Sequence, residues 1–292
     1  MAISLPNNSR VTGLVWIITI QFMPSTAAAV DDLSIVQYIP NYVTLDYGRD
    51  NDDGRSTFLY ANLGITLKDR LLVGMGTQVE TVAQSEEALD NKNYLLGYSY
   101  LPSYRSQVGG EYEYWGDSAK VTINSMRAVL AFNAGKFAIT VTPEFRQIKV
   151  NNDSQCEKSI DSSAAKIDLS FDVSEEYTFN VGYVAYDYSN NLTTLVECVS
   201  NAERLEIQSR IESVANDTES TIGLDYYRNN ETFGFSLTRS KSALNFIKTR
   251  SLSIYISTDR FDDWTLTATT GISENLDDST TSFVSGTITY YW

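Results

Sequence analysis

The side chains with the greatest chemical capacity in this sequence stand at even spacings. Glu111 and Glu113, Glu144 and Arg146, then Lys166, Asp168 and Asp172 follow this rule, as do Glu206, Arg210 and Glu212. Asp225 lies in a similar run. On an extended backbone an even step returns to the same face, so each set presents its charges together. Carboxylates gathered around a water-filled passage favour cations. Where water is scarce, the same residues pair with Arg and Lys on adjacent strands and hold a wall rigid. Both uses stay open at this point.

Other chemistries are excluded by composition. The chain has no histidine, the side chain most often used as a base near neutral pH. His-based zinc sites go with it, and two cysteines cannot complete a four-thiolate set. Gly74-Met75-Gly76 continues into Thr77-Gln78 within a strand pattern rather than a phosphate loop. Asp50-Asn51-Asp52-Asp53-Gly54 departs from calcium-loop spacing and reads as an Asx-Gly turn. No catalytic residue, metal site or cofactor is expected. A net charge of −15 and a pI near 4.4 argue against nucleic acid as a partner.

The elements that carry these charges are strands. Ile167, Leu169, Phe171 and Val173 alternate with polar residues, and Tyr177, Phe179, Val181 and Tyr183 resume the pattern after Ser174-Glu175-Glu176. Phe233, Phe235 and Leu237 alternate with Gly234, Ser236 and Thr238; Trp264, Leu266 and Ala268 alternate with threonines. Leu205, Ile207 and Ile211 are read in the same way, as a strand. Short turn signals at Lys68-Asp69, Gly135-Lys136, Asn229-Asn230 and Thr258 to Asp263 alternate with longer polar stretches. Many runs last ten residues or so, the length that crosses a bilayer at a tilt.

Counting the runs gives an odd number, whereas a bacterial single-chain barrel normally has an even one. The conflict lies between Ser189 and Thr232. Either Leu192 to Val199 is an extra short strand, or Ser220 to Thr238 is one long kinked strand. The preferred total is about 14, within about 12–16. Pro143 removes a ladder hydrogen bond and is expected to mark a bulge.

The two ends of the chain give location. A polar start with Arg10, an apolar Val11 to Met23 and the small residues before Val30 make a secretory signal, with cleavage expected after Ala29. Residues 1–29 are thus a signal peptide and 30–292 a barrel domain. In an exported protein the pair Cys156 and Cys198 suggests one disulfide. At the other end, Val284, Ile288, Tyr290 and Trp292 share a face, and the sequence stops on an aromatic residue.

This terminal strand resembles the closing strand of Gram-negative outer-membrane β-barrels. The resemblance implies that Ile288, Tyr290 and Trp292 are read by the barrel-assembly machinery. In size and style the chain is similar to autotransporter translocator barrels and to small porin-like proteins. The expected fold is therefore all-β, a transmembrane antiparallel up-and-down barrel in the cell outer membrane. Outer-membrane lipid and lipopolysaccharide are its expected surroundings. Tyr94, Tyr98, Tyr100, Tyr112, Tyr114, Trp264 and Trp292 suit the aromatic girdles of such a barrel. The expected role is a passive, mildly cation-selective pore, with a closed barrel of structural or surface-binding role as the alternative.

Overall fold

The computed structural model describes residues 40–292, apart from 52, 82–87, 104, 117–119, 153–155, 198, 200, 262 and 276–279. The expected signal peptide and its Ala29 cleavage point lie outside the described residues, as does Cys198. Fourteen strands form the wall. In order they are β1 (Tyr42–Asp50), β2 (Arg55–Gly64), β3 (Asp69–Thr81), β4 (Ala88–Ser103) and β5 (Ser106–Gly116). They continue with β6 (Val121–Asn133), β7 (Phe137–Asn152), β8 (Cys156–Asp172), β9 (Tyr177–Tyr188) and β10 (Asn216–Arg228). The last are β11 (Glu231–Ser242), β12 (Lys248–Phe261), β13 (Trp264–Asn275) and β14 (Thr280–Tyr291). Two helices, α1 (Thr193–Val196) and α2 (Asn201–Val214), interrupt the connection from β9 to β10.

Each strand pairs antiparallel with its sequence neighbours, and β1 closes the ring on β14. Closure satisfies every edge, the condition for a sheet to stand in lipid. The period-two pattern decides which side meets lipid. Leu45, Met75, Leu96, Met126, Phe145, Ile167, Phe235, Ile254 and Val284 are exposed on the outer surface. Their alternate neighbours, such as Thr44, Gln78, Ser125, Ser253 and Thr267, are buried toward the inside. Large apolar groups outside and small polar groups inside invert a soluble core, so the solvent of this exterior is lipid. The expected girdle residues Tyr94, Tyr98, Tyr100, Tyr112, Trp264 and Trp292 all belong to this exposed outer face.

The strand total agrees with the even number preferred from sequence, but by another route. Leu192 to Val199 contains α1 rather than a strand, and Ser220 to Thr238 is two strands joined at Asn229-Asn230. The run from Leu205 to Glu212 is helix α2. Its residues satisfy both periods: Ile207 and Ile211 are four apart, as are Glu206 and Arg210, so a helix aligns them equally well. The sequence is also rich in good helix formers.

Pro143 needs correcting too. Around it, Arg127 pairs with Glu144 and Leu130 with Val141 in an unbroken register, so the strand carries no bulge there. Only the rungs between them are missing, which is the local effect of a residue without an N–H. Register shifts occur instead between Tyr100 and Ser103, Asn216 and Thr218, and Thr258 and Phe261.

Candidate functional site: the lumen and its internal helices

The inner wall changes character along β5 to β8. Near mid-height it is charged: Glu111 pairs in register with Arg127, and Arg127 with Glu144. One rung further on, Glu113, Ser125 and Arg146 stand side by side. The Arg127 guanidinium therefore faces three carboxylates. It binds Glu113 most closely, with Glu144 at 3.5 Å and Glu111 at 4.0 Å. Arg146 holds Glu144 at 3.0 Å, donates to the Tyr186 hydroxyl at 3.0 Å and lies over that ring, 4.5 Å from its centroid. Small Ser125 between the two arginines leaves room for their forks. These groups are largely withdrawn from water, with side-chain exposures of 21% for Arg127 and 7% for Glu144. At such exposure a charge needs its partner.

Toward the end opposite the chain termini, the inward positions become apolar. Trp115, Ile123, Ile148 and Ile160 form one rung across β5 to β8, and Val121 and Val150 lie beyond it. An apolar inner wall is covered here by chain: Leu192, Leu195, Val196, Val199, Ile207 and Ile211 pack on it in one cluster. Thus α1 and α2 fold into the barrel mouth and lie against β6, β7 and β8. Polar contacts fix them. Lys120 binds Glu206 at 2.6 Å, Arg210 donates to Asn91 at 2.9 Å, and Arg146 donates to the Val214 carbonyl at 3.0 Å. Lys158 donates to the Thr194 carbonyl at 2.8 Å. Short turns and both described termini mark the other end, so by outer-membrane layout the helices sit at the outer mouth.

The opposite arc, β10 to β14 with β1, is lined by small hydroxyl residues. Thr221 bonds Thr238, Ser236 bonds Ser253, Ser251 bonds Ser273, Ser257 accepts from Thr267, and Thr44 bonds Thr289. Inward aromatic residues near this arc lie flat against neighbouring glycines. A Cβ on Gly234 would collide with the Tyr255 ring, one on Gly271 with Phe283, and one on Gly76 with Phe58. The glycines let large rings rest on the wall instead of crossing the lumen. Gly234→Val should push the Tyr255 ring inward and weaken its 2.5 Å bond to Asp225. The expected result is a smaller pore conductance with the barrel still heat-modifiable on gels; unchanged conductance would refute this packing role.

The residues expected in the lumen divide into two groups. Glu111, Glu113, Glu144, Arg146, Lys166, Asp168, Asp172 and Asp225 lie on inward-facing strand positions. Lys166 pairs with Asp168 at 3.2 Å, Asp172 accepts from Thr178 at 2.6 Å, and Asp225 accepts from Asn180 at 2.8 Å. Glu206, Arg210 and Glu212 belong instead to α2, where Glu206 and Arg210 pair along the helix at 3.2 Å. Burial raises the Glu212 carboxyl above the ordinary glutamate range, opposed by hydrogen bonds to Gln208 and Asn245. Arg127, absent from the expected set, is the centre of the charged wall.

The Asp50 to Gly54 segment is a turn closed on itself: Asp50 accepts from the Gly54 N–H at 2.7 Å, and Asp53 binds Arg49 at 2.7 Å. The expected cysteine pair lies outside the described side chains. We propose it nonetheless, because Lys158, two residues after Cys156, reaches Glu197, next to Cys198, at 3.4 Å. A mobility shift on reducing gels is expected; full thiol labelling without reductant would reject the bond.

Comparison with known proteins gives the architecture a setting. No family model matches the chain, and no curated protein matches its sequence. Among solved structures, it resembles the CymD monoaromatic hydrocarbon channel at 10% identity and a TM-score of 0.53, covering 87% of this chain and 88% of that one. Lesser likenesses include the KdgM porin, at 8% identity and TM-score 0.44 over 86% of this chain and 99% of that one. Another is a loop-deletion mutant of OmpT from Vibrio cholerae, at 10% identity and 0.46 over 86% and 98%. At these identities the likeness concerns the fold. With its closed wall, lipid-facing exterior and polar interior, the chain is an outer-membrane β-barrel of porin-like architecture.

Proposed function

We propose that this barrel is a passive, mildly cation-selective pore for small solutes, entered beside α1 and α2. The observation that carries the reading is the one-sided position of the helices. They rest on β6 to β8, while the hydroxyl-lined arc across the lumen keeps its large rings flat against glycines. A solute path along that arc needs no movement of the charged wall. The sign of selectivity follows from the inward charges. Asp46, Asp168, Asp172, Glu219 and Asp225 exceed the neighbouring Lys166 and Arg70, while Arg127 and Arg146 are taken up by Glu111, Glu113 and Glu144. Net negative walls concentrate cations.

Uptake by proteoliposomes tests this reading. A small organic cation should enter faster than an anion of equal size, and neutralising Asp168, Asp172 and Asp225 together should erase the difference. Equal rates in the unmodified protein would overturn the selectivity. A second reading, a sealed barrel with a structural or surface-binding role, draws on the apolar cluster that anchors the helices in the mouth. It requires that neither solute enters. In both readings Ile288 and Tyr290 on the outward face of β14, with Trp292 just beyond its end, serve as the recognition signal for the assembly machinery.

A further inference from the structure

The outer wall carries a feature that pore function does not use. On β9 to β13 the outward rungs can be followed in register from apolar residues to cations. Val181, Ile222, Leu237, Leu252 and Ile272 form one outward apolar rung in register. The next rung toward the outer mouth is Tyr183, Ser220, Arg239, Arg250 and Glu274, and the one beyond it contains Thr218, Lys241 and Lys248. Arg239 therefore stands directly opposite Arg250, and Lys241 directly opposite Lys248.

Like charges in cross-strand pairs destabilise a sheet, and this chain has a large excess of acids to serve as partners. Only Lys241 is served: it binds Asp217 at 2.6 Å and lies over the Phe246 ring. Among the described residues, Arg239, Lys248 and Arg250 have no ion-pair partner, although Glu274 adjoins Arg250 in register. A groove opens at the same place, lined by Tyr183, Thr218, Ser220, Arg239, Lys241 and Lys248, together with Glu219 and Ser240 from the inward-facing rung between them. Its hydroxyls and cations face outward immediately above a lipid-contacting rung.

We propose that this groove binds the phosphate-bearing headgroup of an outer-leaflet glycolipid, with the acyl chains on the Leu237 and Leu252 rung below. Arginine forks match phosphate oxygens and lysine ammonium groups add point charges beside them, and the hydroxyls of Thr218 and Ser220 supply further donors. The depth is what selects a lipid: a phosphate held at this level brings its acyl chains against the apolar rung. The site is on the outside of the wall and does not depend on conduction through the lumen.

The test uses the refolded full barrel in neutral detergent with EDTA, so that no divalent ion bridges acid to phosphate. Bisphosphorylated lipid A, the same lipid stripped of phosphate, and inorganic phosphate are titrated separately. The readouts are the temperature of the folded-to-unfolded gel transition and lipid retained in native mass spectrometry. Only the phosphorylated lipid should raise the transition and stay bound. In R239Q/K248Q its apparent affinity should fall roughly 25-fold, about fivefold for each cation near an anionic surface. Lys149→Gln, an outward cation elsewhere on the wall, should change nothing. Equal stabilisation by the stripped lipid would mean acyl contact alone, and stabilisation by inorganic phosphate alone a free-anion site; either overturns the proposal. So would undiminished binding by R239Q/K248Q. Unaltered conductance of that variant would show that any failure here leaves the pore reading intact.

Discussion

Arg127→Met should destabilise the barrel by about 3–5 kcal/mol, the usual cost of leaving buried charges without their partner. The variant strands Glu111, Glu113 and Glu144 around an apolar side chain, and Arg146 can neutralise only one of them directly. The loss should appear as a lower temperature for the shift between folded and unfolded bands on gels. Adding Glu111→Gln and Glu113→Gln to the variant should recover most of it, because the uncompensated charge is then removed while Glu144 keeps its pair with Arg146. If Arg127→Met melts like the unmodified protein, the charged wall is well hydrated and contributes little to rigidity.

Excising 190–214 and joining the ends by a short Gly-Ser turn should enlarge the single-channel conductance severalfold while the barrel still forms. The join is feasible because Ala185 and Thr218 are already register partners across β9 and β10. The excision bares Ile123, Ile148, Val150 and Ile160, at present buried under the helices, so their replacement by Ser or Thr should accompany it. Heat-modifiable migration checks folding independently of conduction. Conductance equal to that of the unmodified protein would mean that α1 and α2 do not set the width of the passage.

The wall of this barrel was legible because lipid imposes one rule on every strand. Ile167, Leu169 and Phe171 had to lie outside together, which placed Lys166, Asp168 and Asp172 inside without any knowledge of their partners. The internal helices were not legible on the same rule, since Ile207 and Ile211 fit an alternating pattern as well as a helical one. A signal for them was nevertheless present in the strands. Ile148 and Val150 continue the parity of Glu144 and Arg146, and Val121 and Ile123 that of Arg127. Apolar residues on an otherwise charged inner face require a cover, and the β9–β10 connection was the longest one available to provide it.

Arg127 was missed for a different reason: its own strand supplies no charged neighbour at an even step. Its three carboxylates come from β5 and β7 and became visible only when the register was known. The same holds for the outward cations. Arg239 and Lys241 look like ordinary surface residues until Arg250 and Lys248 are set opposite them.

Planar-bilayer recording on the purified, refolded, unmodified protein tests the central claim most directly. Discrete conductance steps, with a reversal potential of cation-preferring sign under a salt gradient, are the predicted result. A bilayer that stays sealed, with protein shown on gels to be folded and inserted, would contradict a passage beside the helices.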